Sequence, residues 1–507
     1  MKVDSICIVG GGTAGWMAAA TFTRLFPQKH ITLLESDDIP TIGVGESTTQ
    51  FFRGWLDFIE LYDVQWMDDC DATYKYSVRF ENFNRPNCPF HYPFISNPDS
   101  IKDPKDIPTW FIHQTLTGES VDGFASWIAP HMKAIEEGRI ITEDFDRFVH
   151  QRDTGFHMDA SKFARWLKDN ICYPAGINHM SDVHITKHKK RKDGTLEWIQ
   201  DKNGRRFYAD LFVDCTGFKS LLINDYMKTE WEDFNEMLPN DRAWTVRLPY
   251  TNKREQMKTY TNCTALDNGW VWNVPLQNRI GTGYNYSSKF TSDAAALEEF
   301  KKHLGYPEET LCDYRNIKFK TGLSKKPWNK NVLAIGLSGG FIEPLESNGL
   351  LSVHEWLIWA CQIIGDGAVR AIDINAFNYK ARKNFKSFAH FVFYHYAFSK
   401  RNDTPYWKYM TEDYDALSDL HEEFLYDIRN TTTPLDKIDI HKFTLHNYGG
   451  ESYIAAGHDW NPFNHATLRL LESRKEIDLD SYIEISDYSQ YNQLIETFPY
   501  ASDYYEN

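Results

Sequence analysis

A chain of 507 residues with 42% hydrophobic and 25% charged residues has the composition of a globular protein of two to four compact units, or of one large embellished α/β unit. Its net charge of −16 argues against a nucleic-acid partner, which needs clustered Lys and Arg, and it lacks the run of about 18 apolar residues that a membrane span needs. Eight cysteines are scattered without a CxxC pair, which reads as reduced, structural thiols in a cytoplasmic protein with no metal site.

The segment SICIVGGGTAGWMAAA begins at residue 5, but glycines break it and it has neither a basic start nor a cleavage site, so it does not read as a signal peptide. Residues 3–9 read instead as a buried strand. Gly10-Gly11-Gly12-Thr13-Ala14-Gly15 follows, then the helix-forming run WMAAATFTRLF, and a second strand HITLLE ends at Glu35. This is GxGxxG between a strand and a helix. Gly10 permits the tight turn, Gly12 lets backbone approach a pyrophosphate, and Gly15 lets helix and strand pack closely. The helix N-terminus, at Thr13 and Ala14, offers amides to phosphates, and Glu35 is placed for ribose hydroxyls. The bland alternative is a structural glycine turn.

Further along, IGVGEST at 42–48 is a glycine-punctuated polar stretch. Residues 73–83, TYKYSVRFENF, alternate, which puts Lys75, Ser77 and Arg79 on one face of a strand and Tyr74, Tyr76 and Val78 on the other. An exposed lysine on an edge strand is the plain alternative for Lys75. FHYPF at 90–94 is a short aromatic strand. The basic run KHKKRK at 187–192 precedes Asp193-Gly194 and reads as a solvated hairpin turn. DLFVDCTGF at 210–218 is a strand ending at Asp214. NVLAIGLSGGFIE at 331–343 is a strand entering a glycine-rich turn around Leu337 and then, by expectation, a helix. Two such returns to the cofactor, with one GxGxxG in the whole chain, favour FAD over a nicotinamide cofactor and leave reduction of the flavin to something else.

GWVWNVPL at 269–276 puts Trp270, Trp272 and Val274 on one strand face, with Pro275 ending the strand. In FIEPLESNGL, Pro344 and Gly349 frame an irregular, apolar turn around Glu346, with Glu343 as its rival. His390 and His395, in SFAHFVFYHYAF, stand five apart, which suits neither one helix face nor a metal pair, so they read as packing histidines. The tail, rich in Tyr and acidic residues, is expected to wrap the surface or fray.

Taken together, GxGxxG, IGVGEST, YKYSVRF, GFHMDASKFARWLKD, WxWxVP, EPLESNG and HYAFSKRNDTPYW resemble the flavin-dependent halogenases, the tryptophan-halogenase group in particular. The resemblance implies an enzyme that uses FADH2, O2 and chloride, bromide or iodide to make hypohalous acid. That acid is relayed through Lys75 to an electron-rich aromatic, indole-like or phenolic. It further implies Glu346 as the group that stabilises and deprotonates the intermediate, Ser347 as its positioning neighbour, and the backbone of Asn348 and Gly349 as halide donors. Residues 42–48 become a strap over the flavin, with Gly45, Glu46 and Ser47 as its cofactor contacts, Tyr92 and Phe94 become substrate walls, and Trp270, Trp272 and Pro275 the wall between flavin and substrate. A separate flavin reductase acts as partner. A homo-oligomer stays open. The sequence departs from the family at Val274 for Ile, Asn348 for Thr, Tyr92 for His, and Gln50 where a proline is usual. LHNYGGESYIAAGHDWNP at 445–462 keeps Tyr448, Glu451 and Tyr453 without a clear match to the family's site for free tryptophan.

The fold class expected is therefore α/β: a Rossmann-like FAD-binding fold of the flavoprotein monooxygenase type, with an additional β-sheet and a mainly helical C-terminal region. Residues 1–370 form the FAD module, within which 50–160 contribute the lysine and substrate pocket, and 371–507 form the C-terminal substrate side. Two rival readings remain: a flavin-dependent aromatic hydroxylase, and an FAD-binding protein without turnover.

Overall fold

A computed structural model describes the chain except for residues 37–44, 96–106, 145–146, 308–312, 366, 413–449, 462, 475–477, 484–488 and 507. Two compact units emerge, each assembled from three separated segments: 1–73, 155–241 and 317–388, and then 74–154, 242–316 and 389–507. The sequence-based division at 370 groups the chain by expected function; the units group it by contact.

The first unit is built on a sheet whose centre is parallel. Strand β1 (Ser5–Val9) pairs with β2 (His30–Leu34) on one side and with Leu211–Asp214 on the other. Val332–Ala334 extends the sheet beyond Leu211–Asp214, and Asn178–Met180 extends it beyond β2. These strands read as near-continuous apolar runs because both faces of a parallel sheet are covered. One face carries helix α1 (Thr13–Leu25), in which Gly15 to Thr23 are all buried. The hairpin expected at KHKKRK is present: Ile185–Lys190 and Leu196–Asp201 pair antiparallel around Gly194, whose φ of +81° suits the turn. The stretch NVLAIGLSGGFIE does not continue into a helix. After Val332–Ala334 it makes one 3₁₀ turn, Gly336–Ser338, and a two-residue strand, Gly340–Phe341. Gly336 takes φ +72°, outside helical space, and the rings of Trp356 and Phe385 press on Gly339 and Gly340 where only glycine fits. The next helix starts only at Leu351.

In the second unit a mostly antiparallel sheet includes, side by side, Arg242–Leu248, Ile280–Tyr286, Gly269–Pro275, Tyr260–Ala265, Ser77–Glu81 and Phe90–Pro93. Among these six the parallel joint lies between Tyr260–Ala265 and Ser77–Glu81. Alternation in GWVWNVP holds: Val271 packs into a core with Val246, Ile280, Tyr284 and Phe300, while Trp270 and Trp272 sit together with ring centroids 5.8 Å apart. After Ala397 the described residues form helices and turns, including Pro405–Glu412, Glu451–Gly457 and His465–Ser473. The mainly helical C-terminal region is thus present among them. No helix there or elsewhere among the described residues is long and apolar enough to cross a membrane.

Residues 489–506 of the tail are docked on the second unit, so of the two expectations they follow wrapping and not fraying. Ile495, Phe498 and Ala501 are buried, and Arg139 donates to the carbonyls of Glu496 and Phe498 and to the hydroxyl of Tyr500. The Tyr505 hydroxyl accepts from the Tyr74 amide at 2.7 Å. An arginine fork reading carbonyls is a long-range contact that no local pattern announces.

Trp272 lies across Gly283 of the neighbouring strand, so that a Cβ there would overlap its indole. Gly283→Ala is expected to lower stability by about 1–3 kcal/mol through overpacking, read as a lower urea midpoint at unchanged m-value.

Candidate functional site

The glycine turn is closed backbone against backbone. Gly10, at φ +117°, faces the carbonyl of Cys215, and a Cβ on Gly15 would overlap the Gly10 carbonyl. Any side chain at either place would force α1 off the sheet. Gly12 is different: a Cβ there would meet nothing within 4 Å. It is the N-cap of α1, in extended conformation, and no side chain caps the helix. The first-turn amides of α1, at Thr13, Ala14 and Gly15, therefore have no intrahelical partner and border open space. Glu35 sits beside Gly11 at the end of β2, held by His179 Nε2 at 2.7 Å; Tyr173 Oη bonds the other ring nitrogen at 2.9 Å. Across the turn Gly336, at φ +72°, packs its Cα side against Ala14, which brings the half-buried Leu337 to the start of α1. Open space at a glycine, free amides at a helix N-terminus and a carboxylate at the second strand fit a dinucleotide such as FAD.

Sequence reasoning missed His179. Its side chain reaches Glu35 only because strand Asn178–Met180 pairs in register with β2, and nothing near it in sequence marks it.

Asp214 turns out to be structural. Its carboxylate accepts from Thr216 N and Oγ1 and from the amides of Leu222 and Ile223, at 2.7–3.0 Å, and so ties down the loop that follows. Burial raises its pKa, against those hydrogen bonds.

The loop after Phe341 is tight. Ile342, Glu343, Leu345, Glu346, Ser347 and Asn348 are buried. Asn240 Nδ2 donates to Glu343 Oε2 at 2.6 Å, which separates the two glutamates: Glu343 serves an internal clamp. Ser347 takes φ +61°, a left-handed conformation that costs a serine energy and turns the chain sharply. Asn348 Nδ2 donates back to the Ile342 carbonyl at 3.2 Å. Its Oδ1 is buried with no partner, and among the described residues nothing accepts from the amides of Asn348 and Gly349. The structure brings this loop to β3 (Glu46–Ser47). Ser47 Oγ donates to Ser347 Oγ at 3.0 Å, and Glu46 Oε2 stands 2.8 Å from where a Cβ on Gly349 would lie. Thr48 fixes the end of the stretch by exchanging bonds with Phe156. Gly45 holds φ +146° just before β3. Residues 42–44 of the expected strap lie outside the described residues.

In the second unit Lys75 is fully buried, so it is no exposed edge lysine. The strand is interrupted at Tyr76, leaving Thr73–Lys75 and Ser77–Glu81 as separate segments. The Tyr76 amide bonds to Thr259 and its carbonyl accepts from Phe94. That last bond places the Phe94 ring under Lys75, with Nζ 4.7 Å from its centroid. Tyr92 packs against Tyr453 at 4.9 Å and Phe391 at 6.2 Å. His91 instead bonds Ser77 and is edge-on to Tyr260; burial takes its pKa down to about 3. Of the C-terminal candidates Tyr453 is buried beside Phe124; Tyr448 and the Glu451 side chain lie outside the described residues. Trp270 is fully buried, Trp272 half-buried, and Pro275 ends its strand. His395 packs on Phe80 with Nδ1 3.0 Å from the Phe391 carbonyl, the packing histidine expected. Among the described residues no cluster of His, Cys, Asp or Glu is arranged to hold a metal.

The glycine turn, with its open space, free first-turn amides and Glu35, fits a flavoprotein oxidoreductase. The chain belongs to the tryptophan halogenase family, whose model matches residues 5–449. It is 33% identical over 429 residues to the tryptophan 7-halogenase RebH of Lentzea aerocolonigenes, covering 80% of this chain and 78% of that one. It is 32% identical over 426 residues to the tryptophan 6-halogenase SttH of Streptomyces toxytricini, covering 80% of each. The apo structure of VirX1 superposes with a TM-score of 0.90 at 34% identity, over 100% of this chain and 99% of that one. The protein is accordingly a flavin-dependent halogenase, an enzyme that works with FADH2.

Because nothing lies within 4 Å of a Cβ at Gly12, Gly12→Val should fold as the wild type does and fail to bind FAD. An unchanged melting temperature with no FAD retained on gel filtration is the expected result; full FAD retention would remove Gly12 from the pyrophosphate site.

Proposed function

We propose that the protein halogenates an electron-rich aromatic, indole-like or phenolic, with chloride, bromide or iodide and with FADH2 supplied by a separate flavin reductase. The observation that carries this reading is the fully buried Lys75 with its Nζ over the Phe94 ring. A lysine held there has no role on the surface and faces the kind of group it would serve. FAD would be held by Gly10, Gly12, Thr13, Ala14, Gly15 and Glu35, with Gly45, Glu46, Ser47 and Leu337 closing on it. When bound, reduced FAD supplies with O2 the oxidising power that converts halide to hypohalous acid.

The chain's own residues do the rest. The amides of Asn348 and Gly349 hold the halide, as donors preorganised by the left-handed Ser347. Asn348 in place of the family's Thr keeps those amides but adds a buried carbonyl oxygen beside them, which bears on halide preference. Lys75 receives hypohalous acid, by a hydrogen bond from Nζ or by taking the halogen onto nitrogen with release of water. The aromatic carbon then takes the halogen as a cation equivalent, and the Glu346 carboxylate accepts the ring proton that leaves. Ser347 orients Glu346. Phe94 and Tyr92 wall the aromatic. Tyr92 in the family's histidine position, lying on Tyr453 and Phe391, makes this wall bulkier and favours a substrate other than free tryptophan.

Lys75→Ala is expected to cut halogenation by at least about 100-fold while FAD is retained. The measurement is product mass from a flavin reductase, NADH, an indole and phenol panel and each halide in turn. Halogenation at the wild-type rate would remove Lys75 from the relay. Trp270 and Trp272 separate the reactive oxidant from the aromatic in this reading. Trp272→Ala should raise hydroxylated product or uncoupled peroxide at the expense of halogenated product. Unchanged product and coupling would return both indoles to the core.

A further inference from the structure

Glu46 and the turn Ser347–Gly349 are held together at two points. Ser47 Oγ bonds Ser347 Oγ at 3.0 Å, and Glu46 Oε2 stands 2.8 Å from the position of a Cβ on Gly349. That second contact also explains why a glycine occupies 349, since a side chain there would press on the carboxyl. The same turn leaves the Asn348 and Gly349 amides without acceptors among the described residues. An anion seated on those amides lies beside the Glu46 carboxyl. Two negative charges at such a distance, in a site shielded from water, repel strongly.

We propose that Glu46 holds the halide as a neutral acid, donating its O–H to the anion beside the Asn348 and Gly349 amides, and that its ionisation expels the halide. The inference rests on the reading that halide binds at those amides. Halide binding then carries a proton with it.

The surroundings suit a neutral carboxyl. Burial alone pushes the pKa of Glu46 up to about 7, with no neighbouring charge contributing. From the strand paired with β3, Met158 faces Glu46, and His157, opposite Ser47, has its Nδ1 engaged with Thr73 Oγ1 at 3.2 Å. From helix Leu351–Gly365, His354 is kept neutral by burial, its pKa taken down to about 3. Arg53, beside Phe156, is paired with Asp63. Glu343 is clamped by Asn240, and Glu346 shares the turn as a second carboxyl. No cation among these is paired with Glu46. The sign follows from the raised pKa. Below about 7 the carboxyl is neutral and donates; above it the carboxylate and the halide compete for the same amides. A bound halide favours the neutral form further, so binding above neutral pH takes up a proton.

The test is bromide binding to the FAD-loaded, oxidised protein without reductant, by calorimetry from about pH 6 to about pH 9. The expected result is a bromide affinity constant at the acid end that falls about tenfold per pH unit at the alkaline end. Repeating the titration near pH 8 in buffers of different ionisation enthalpy should show uptake approaching one proton per bromide. Glu46→Gln, whose amide donates at every pH, should bind bromide with no such pH dependence. Proton uptake is read on the wild type, so a variant that fails to fold leaves the test intact. Wild-type binding that is flat with pH and takes up no proton overturns the role of Glu46 and leaves the halide position standing. Bromide binding that is absent at every pH, or that is unaffected by Gly349→Ala, overturns the halide position beneath it.

Discussion

Backbone packed on backbone at one glycine turn is the constraint on which the cofactor unit depends. Gly10 lies on the Cys215 carbonyl and Gly15 on the Gly10 carbonyl, so α1 can begin only where it does. From that one approach follow the open space before Gly12, the exposure of the first-turn amides, and the seat of Glu35 against Gly11. Asp214 keeps the arrangement rigid by satisfying four donors of the next loop, a buried carboxylate used as an internal cap. The energetic logic is that of close packing without side chains, which only glycine allows.

A second tight turn stands at Ser347, in a left-handed conformation. The left-handed serine at φ +61° is held by its surroundings: the Asn348 side chain donates to the Ile342 carbonyl, and the Ser347 hydroxyl meets that of Ser47. The turn's amides at 348 and 349 have no acceptor among the described residues, and the Glu46 carboxyl, its pKa raised by burial to about 7, stands against Gly349. In the other unit the same economy appears around Lys75. The strand breaks at Tyr76, Phe94 swings beneath the amine, and the cation meets an aromatic face where an exposed lysine would meet water.

Much of this was legible in order along the chain. GxGxxG between strand and helix, the hairpin at Gly194 and the alternation of GWVWNVP all rest on short-range rules, and the structure follows each. The helix expected after NVLAIG is absent: Gly336 turns the chain at φ +72°, and Trp356 and Phe385, from elsewhere in the sequence, pack on Gly339 and Gly340. The tail, rich in exposed-looking tyrosines and acids, is docked because Arg139, more than 350 residues away, reads its carbonyls. His179 escaped notice for the same reason: its partnership with Glu35 exists only through strand register.

Sequence by itself determined the class of fold, the nucleotide turn, the identity of the buried lysine strand and the family, because periodicity, glycine spacing and motif chemistry are local properties of the chain. Tertiary structure alone decided which of two glutamates in FIEPLES is clamped by Asn240, that Lys75 lies on Phe94, and that Glu46 stands against Gly349. Those are distances between residues separated by up to some 300 positions. A carboxyl's charge depends on what surrounds it in space, and the order of residues along the chain carries that information only after the chain has folded.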